Sequence, residues 1–152
     1  MKNAVRMWLE KMGWWRPDGV GDWESRVTPD YVTMLRPDEV FVFGCRHSGR
    51  HWEGAAGFAL AHFGAVFGQG EGPQGQSYAI PTAGVCLRHI GDAVGRFTQY
   101  AARHPEKRFL VTAVGCGLGG WRPSQVAPFF RKAAALKNVW LPQVFWEQLE
   151  GE

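Results

Sequence analysis

Cysteine is scarce and poorly spaced for metal. Cys45, Cys86 and Cys116 are the only three, no two form a C-x-x-C pair, and the histidines show no ligand spacing beside them. Neither a zinc site nor a disulfide framework is expected, and the thiols read as reduced. Charge is not concentrated either: 17 Lys and Arg stand against 14 Asp and Glu, a formal +3. The basic residues come singly or in pairs, which argues against nucleic acid as a partner. Long apolar runs are missing too. The opening MKNAVRMWLEKMGWW is interrupted by Arg6, Glu10 and Lys11, and no later run approaches about 18 uninterrupted apolar residues. A cytoplasmic protein without a membrane partner is the expectation. Acidic residues are absent between Glu106 and Glu147, which becomes decisive below.

What the chain does have is glycine and tryptophan, 20 and 8 in 152 residues. The glycines gather in short loops between periodic segments, where they permit unusual dihedrals or close approach of a ligand. That length suits one domain with its own core. Residues 1–25, aromatic and basic, read as an extension with a short helix over 4–12, suited to subunit contact between copies of the chain; residues 26–152 read as the domain. Thr28-Pro29 reads as a helix start, closed by Pro37-Asp38. EVFVFG (39–44) and SYAIP, closed by Pro81, read as buried strands, with a helix over Gly54–Phe63 between them. Leu87, Ile90, Val94, Phe97 and Ala101 mark the apolar stripe of a helix. RFLVTAV (108–114) is the strongest strand, followed by a helix over Pro123–Leu136, the strand NVWLP and a terminal helix QVFWEQL. Strands apolar on both faces alternating with helices predict an α/β fold, a three-layer α/β/α sandwich on a mostly parallel sheet.

Two glycine loops follow strands directly: FGCRHSGRHWEGAAG, and GCGLGGWRP with the G-x-G-x-x-G pattern on Gly115, Gly117 and Gly120. Successive N–H groups freed of side chains can converge on one anion, and a following helix adds its positive end. A dinucleotide fingerprint needs a carboxylate about 20 residues past the glycines to hold a ribose. The acid-free stretch after Glu106 argues against it. Neither loop ends in Gly-Lys-Ser/Thr, which excludes a P-loop.

VFVFGCRHSGRHWEGAAGFALAHFGAVFGQGEGPQGQSYAIPT and FLVTAVGCGLGGWRPSQVAPFF together resemble the macrodomain-like proteins of phage and bacterial genomes, over about Arg26 to Leu141. The resemblance implies a domain that binds ADP-ribose or a related nucleotide, the first loop approaching the distal ribose and the second wrapping the pyrophosphate. Carried onto this chain, the contacts are Gly44, Gly49, Gly54 and Ala55 from the first loop, where Cys45, Arg46 and Trp52 are further candidates by their place among them. The second loop contributes Gly115, Cys116, Gly117, Leu118, Gly119, Gly120 and Trp121. No metal or further cofactor is implied. Relatives usually read GSN where this chain has Gly44-Cys45-Arg46, and HGxG where it has His51-Trp52-Glu53-Gly54. Arg46 thus brings five donors and a permanent charge in place of an amide, which suits an anionic ligand.

His51 and Glu53 are the candidate acid–base pair for hydrolysis at the distal ribose, as an ADP-ribosyl hydrolase or an ADP-ribose-phosphate phosphatase would require. Two other functions remain open on these residues: a non-catalytic nucleotide sink or sensor, and a scaffold or single-strand module using the tryptophan-rich amino terminus. Cys116 reads as a small spacer. Arg46 and Arg50 read equally as phosphate contacts or solvated side chains. The amides of Gln69, Gln74 and Gln76 read equally as readers of a base edge or braces for nearby loops.

Overall fold

The computed structural model describes residues 25–150. The expected helix over 4–12 and the tryptophan-rich segment lie outside them. The chain forms β1 (Val27–Thr28), β2 (Glu39–Arg46), α1 (Gly54–His62), β3 (Gly72–Gln74), β4 (Ser77–Ala83), α2 (Leu87–Arg103) and β5 (Arg108–Val111). Three short helical pieces follow, α3 (Pro123–Val126), a 3-10 turn (Ala127–Phe130) and α4 (Arg131–Ala134), then β6 (Val139–Pro142) and α5 (Gln143–Glu150). The fold is mixed α/β. Its six-stranded sheet runs in the order β1-β6-β5-β2-β4-β3, parallel throughout except for β3 against β4.

Strand alternation divides the core. Val40 and Val42 of β2 join Ile80, Phe109 and Val111 under α2, the 123–134 segment and α5. Phe41, Phe43 and Cys45 turn to the opposite face, where α1 covers them. The sheet is therefore buried on both sides, which explains its unbroken apolar strands. In α2 the buried positions are Ile90, Ala93, Val94, Phe97 and Ala101, as its stripe predicts. Asn138 Nδ2 donates to Ala101 O and His104 O at 3.0 Å each, satisfying carbonyls at the end of that helix.

Five elements differ from the sequence reading. No helix follows Thr28: the residue lies in β1, paired with Pro142, and 30–36 is irregular, with Val32 and Leu35 packed on the α1 side of the core. Tertiary pairing of a β-branched residue outweighs the local Thr-Pro cap signal. The helix expected over Pro123–Leu136 is broken into three pieces because Pro128 lacks the N–H and clashes with the preceding turn. Pro81 does not close its strand; it pairs with Cys45, two residues beyond the last β3 pairing at Ala79, where no outer neighbour needs its missing N–H. That β3 went unread follows from its Gly-Pro-Gln composition. β5 stops at Val111; Thr112 still donates from N and Oγ1 to Val42 O, at 3.1 and 2.8 Å, and the second glycine loop begins beyond it.

Candidate functional site

β4, β2 and β5 are adjacent and parallel, so their carboxyl ends open at one edge of the sheet, and a cavity of about 670 Å³ lies there. Both glycine loops line it. Gly44, Cys45, Arg46, Trp52, Glu53, Gly54 and Ala55 come from the first, and Gly115 through Gly119 from the second. The cavity also reaches back along β2 to Phe41, five residues before Arg46, or about 16 Å of strand.

The loops meet at a junction without room for side chains. A β-carbon on Gly44 would lie 2.8 Å from Gly115 N and 2.8 Å from Thr82 Oγ1. Gly115 has φ +78 and Gly54 φ +59, the left-handed region that glycine enters without steric cost. The indole of Trp121 donates from Nε1 to Thr82 O at 2.7 Å, and its backbone N–H to Gly115 O at 2.8 Å. These bonds fold the second loop back over β4.

Which amides remain for a ligand follows from the loop's own hydrogen bonds. Cys116 N donates to Ala113 O, Gly120 N to Gly117 O, and Trp121 N to Gly115 O. Gly117, Leu118 and Gly119 have no partner for their N–H groups among the described residues. Across the cavity, Glu53 precedes α1 with no side-chain cap and no acidic residue in the first turn. The N–H groups of Gly54, Ala55 and Ala56 have no partner among the described residues, for the reason all helix starts share. Two sets of free donors thus flank one space, with the positive end of α1 behind one of them.

Side chains add charge. Arg46 and Arg50 both line the cavity, and neither guanidinium has a carboxylate partner among the described residues. Arg50 sits 5.7 Å from the ring centroid of Trp52. Glu53 and Asp30 are the carboxylates on the wall. Neither neighbouring thiol supplies a nucleophile: burial pushes Cys45 up to about 12 and Cys116 to about 11, so both are neutral at physiological pH.

The chain matches no family model, no curated protein and no solved structure. The site is therefore characterised by its own geometry, which separates the expected residues. His51 is fully buried and absent from the cavity wall. Its Nε2 lies 2.9 Å from Gln69 O and 3.1 Å from Gln74 Oε1. Gln74 Oε1 also accepts from Val66 N at 2.8 Å, which fixes that amide's orientation, so His51 Nε2 faces two acceptors and carries the proton. Nδ1 has no partner. The imidazole braces the loop beneath the site and does not stand beside Glu53 as an acid–base pair. Gly49, Gly120 and Trp121 also lie off the cavity wall, shaping the loops from behind. The glutamines are braces: Gln69 Nε2 donates to Glu71 O and Pro73 O, and Gln76 Nε2 to Arg36 O and Glu39 O.

Sequence reasoning missed the wall formed by Asp30, Tyr31, Val32 and Thr33, together with Phe41, Phe58 and Thr82. Reading 28–37 as a helix hid the first four, and only the apolar pair Val32 and Leu35 signalled a segment packed against the sheet. A second, smaller cleft of about 340 Å³ contains His47, Glu71, His89, Asp92 and Arg96, with Glu71 already held by two bonds from Arg96. Among the described residues no group of His, Cys, Asp or Glu is arranged to hold a metal ion, and no helix is long and apolar enough to cross a membrane.

Proposed function

We propose that this is a macrodomain-like domain, a three-layer α/β/α sandwich that binds ADP-ribose or a closely related nucleotide in the cavity between its glycine loops. One observation carries the reading. N–H groups of Gly54–Ala56 and Gly117–Gly119 without partners among the described residues flank a single cavity beyond adjacent parallel strands, where ligands of open α/β sheets sit. A diphosphate suits that end, since it accepts several N–H bonds at once and complements Arg46 and Arg50. The apolar stretch toward Val32, Phe41 and Phe58 suits a base. The free thiols suit a reducing cytoplasm.

Binding without turnover, as a nucleotide sink or sensor, is the form we favour. With His51 braced away from the cavity and both adjacent thiols neutral, Glu53 is the first loop's sole acid–base side chain on the cavity wall. Were the protein a hydrolase, one of the two wall carboxylates, Glu53 or Asp30, would have to orient and deprotonate the water that attacks the distal ribose. Titrating ¹⁵N-labelled protein with ADP-ribose tests the binding. Amide signals of Gly54–Ala56 and Gly117–Gly119 should move most. Perturbation confined to the opposite end of the sheet would refute the reading.

A further inference from the structure

The cavity mouth carries an aromatic shelf that one nucleotide does not require. Trp52 lines the cavity yet is 63% exposed, and Phe67, 50% exposed, meets it with ring centroids 5.7 Å apart. Both rings stand on braced backbone. A β-carbon on Gly57 would lie 2.8 Å from Trp52 O, so that stretch of loop is pressed on α1. Gly68 N donates to Gly49 O at 2.8 Å, tying the turn beside Phe67 to the first loop. The arrangement is preorganised and unsatisfied: two large rings left in water at a site rim, where fixed aromatic surfaces serve binding. Arg50 lies over Trp52, and Arg46 lines the same wall.

Exposed aromatic faces interleaved with unpaired guanidinium groups are the means by which proteins hold phosphate-linked bases, the ring stacking and the cation meeting the phosphate. A peptide carrying the ligand would be expected to find hydrogen-bonding side chains or a free strand edge here; the shelf presents rings and cations. We propose that the Trp52–Phe67 shelf is a subsite for a second aromatic base, so that the preferred ligand is a dinucleotide with two bases joined through its phosphates. This rests on the reading of the main cavity as a nucleotide site. The first base lies toward Phe41, the diphosphate at the loop amides, and the second base leaves the mouth onto Trp52.

The test compares ADP-ribose with diadenosine pyrophosphate, which adds a second adenine to the distal ribose. Calorimetry on the full chain should give at least about tenfold tighter binding for the two-base ligand, the scale of one stacked base. Trp52→Ala should bring the ratio of the two affinities near one, Trp52→Phe should retain most of it, and Phe67→Ala should lower it partway. Equal affinities in the wild-type protein, or a ratio unmoved by Trp52→Ala, would overturn the subsite while leaving the main cavity reading intact. Binding of neither ligand would overturn both. Preference for an ADP-ribosylated peptide over both nucleotides would assign the shelf to a protein chain and overturn the dinucleotide.

Discussion

The amide nitrogen of Gly115 stands 2.8 Å from the point where a β-carbon on Gly44 would lie, and Thr82 Oγ1 is equally close. Two of the three neighbours there are main chain, which no rotamer change can move aside. Gly44→Ala must therefore push the second loop away from the first, at a cost of about 1–3 kcal/mol, with weaker nucleotide binding. Gly117 has nothing within 4 Å of such a carbon and no positive φ, so Gly117→Ala should keep the wild-type melting temperature. Thermal melts of the two variants decide it, and equal Tm values would contradict the junction.

Arg26 clamps the start of β1 to the turn that leads into β6. Its guanidinium donates to Ala134 O at 2.9 Å and to Leu136 O and Val139 O at 2.7 Å each, and lies 5.3 Å from the centroid of Trp146. Burial pulls its pKa down to about 10, and no carboxylate among the described residues pairs with it. Arg26→Met removes the fork and strands those carbonyls, for a loss of about 3 kcal/mol. Arg26→Lys recovers only part, since an ammonium cannot span three acceptors as a planar fork does. Urea melts should rank wild type, Lys and Met in that order. Met as stable as Arg would remove the clamp from the account.

The buried Cys45 and the half-buried Cys116 give a pH dependence with a definite sign. In the unfolded chain Cys45 and Cys116 ionise near the ordinary 9.0, whereas burial raises them to about 12 and about 11 in the folded protein. The folded state keeps protons that the unfolded chain loses. Their contribution to stability is therefore complete below pH 9 and is lost as pH rises through the folded values. Native protein treated with iodoacetamide at pH 8 should be alkylated first at Cys86, the exposed thiol, more slowly at the half-buried Cys116, and at Cys45 only after denaturation. Native modification at Cys45 would contradict its burial.

Charge at the cavity makes two substitutions act in opposite directions. Glu53→Gln removes a negative charge facing an anionic ligand and should tighten ADP-ribose binding about two- to five-fold, while Arg46→Asn should weaken it by about tenfold. His51→Ala acts on stability, lowering it by about 1–3 kcal/mol through the lost brace to Gln69 and Gln74. Calorimetry and melts on the three variants separate these effects. Weaker binding in Glu53→Gln would mean that its carboxylate holds the ligand.

Legibility in the sequence tracked the range of the interactions involved. β2, β4, β5 and α2 were readable because their apolar runs and stripes reflect burial, which periodicity reports directly. The glycine loops were readable as strand-end donors. Their shared cavity depends on β4, β2 and β5 lying side by side, a long-range pairing. Thr28 and Asp30–Thr33 were misread because their structure comes from far along the chain, Pro142 pairing with Thr28, whereas β3 pairs with its immediate neighbour β4 and was missed because Gly-Pro-Gln carries no strand signal. His51 misled because its place in a polar loop motif gives no hint that Gln74, twenty-three residues on, draws it inward.

The central claim is that one nucleotide binds where the two loops meet, and isothermal calorimetry with ADP-ribose tests it most directly. The account predicts saturable binding at one site per chain, lost in Gly44→Leu, where the larger side chain forces the junction apart, and weakened by added salt. Absence of saturable heat at millimolar ligand, or binding unchanged in Gly44→Leu, would contradict it.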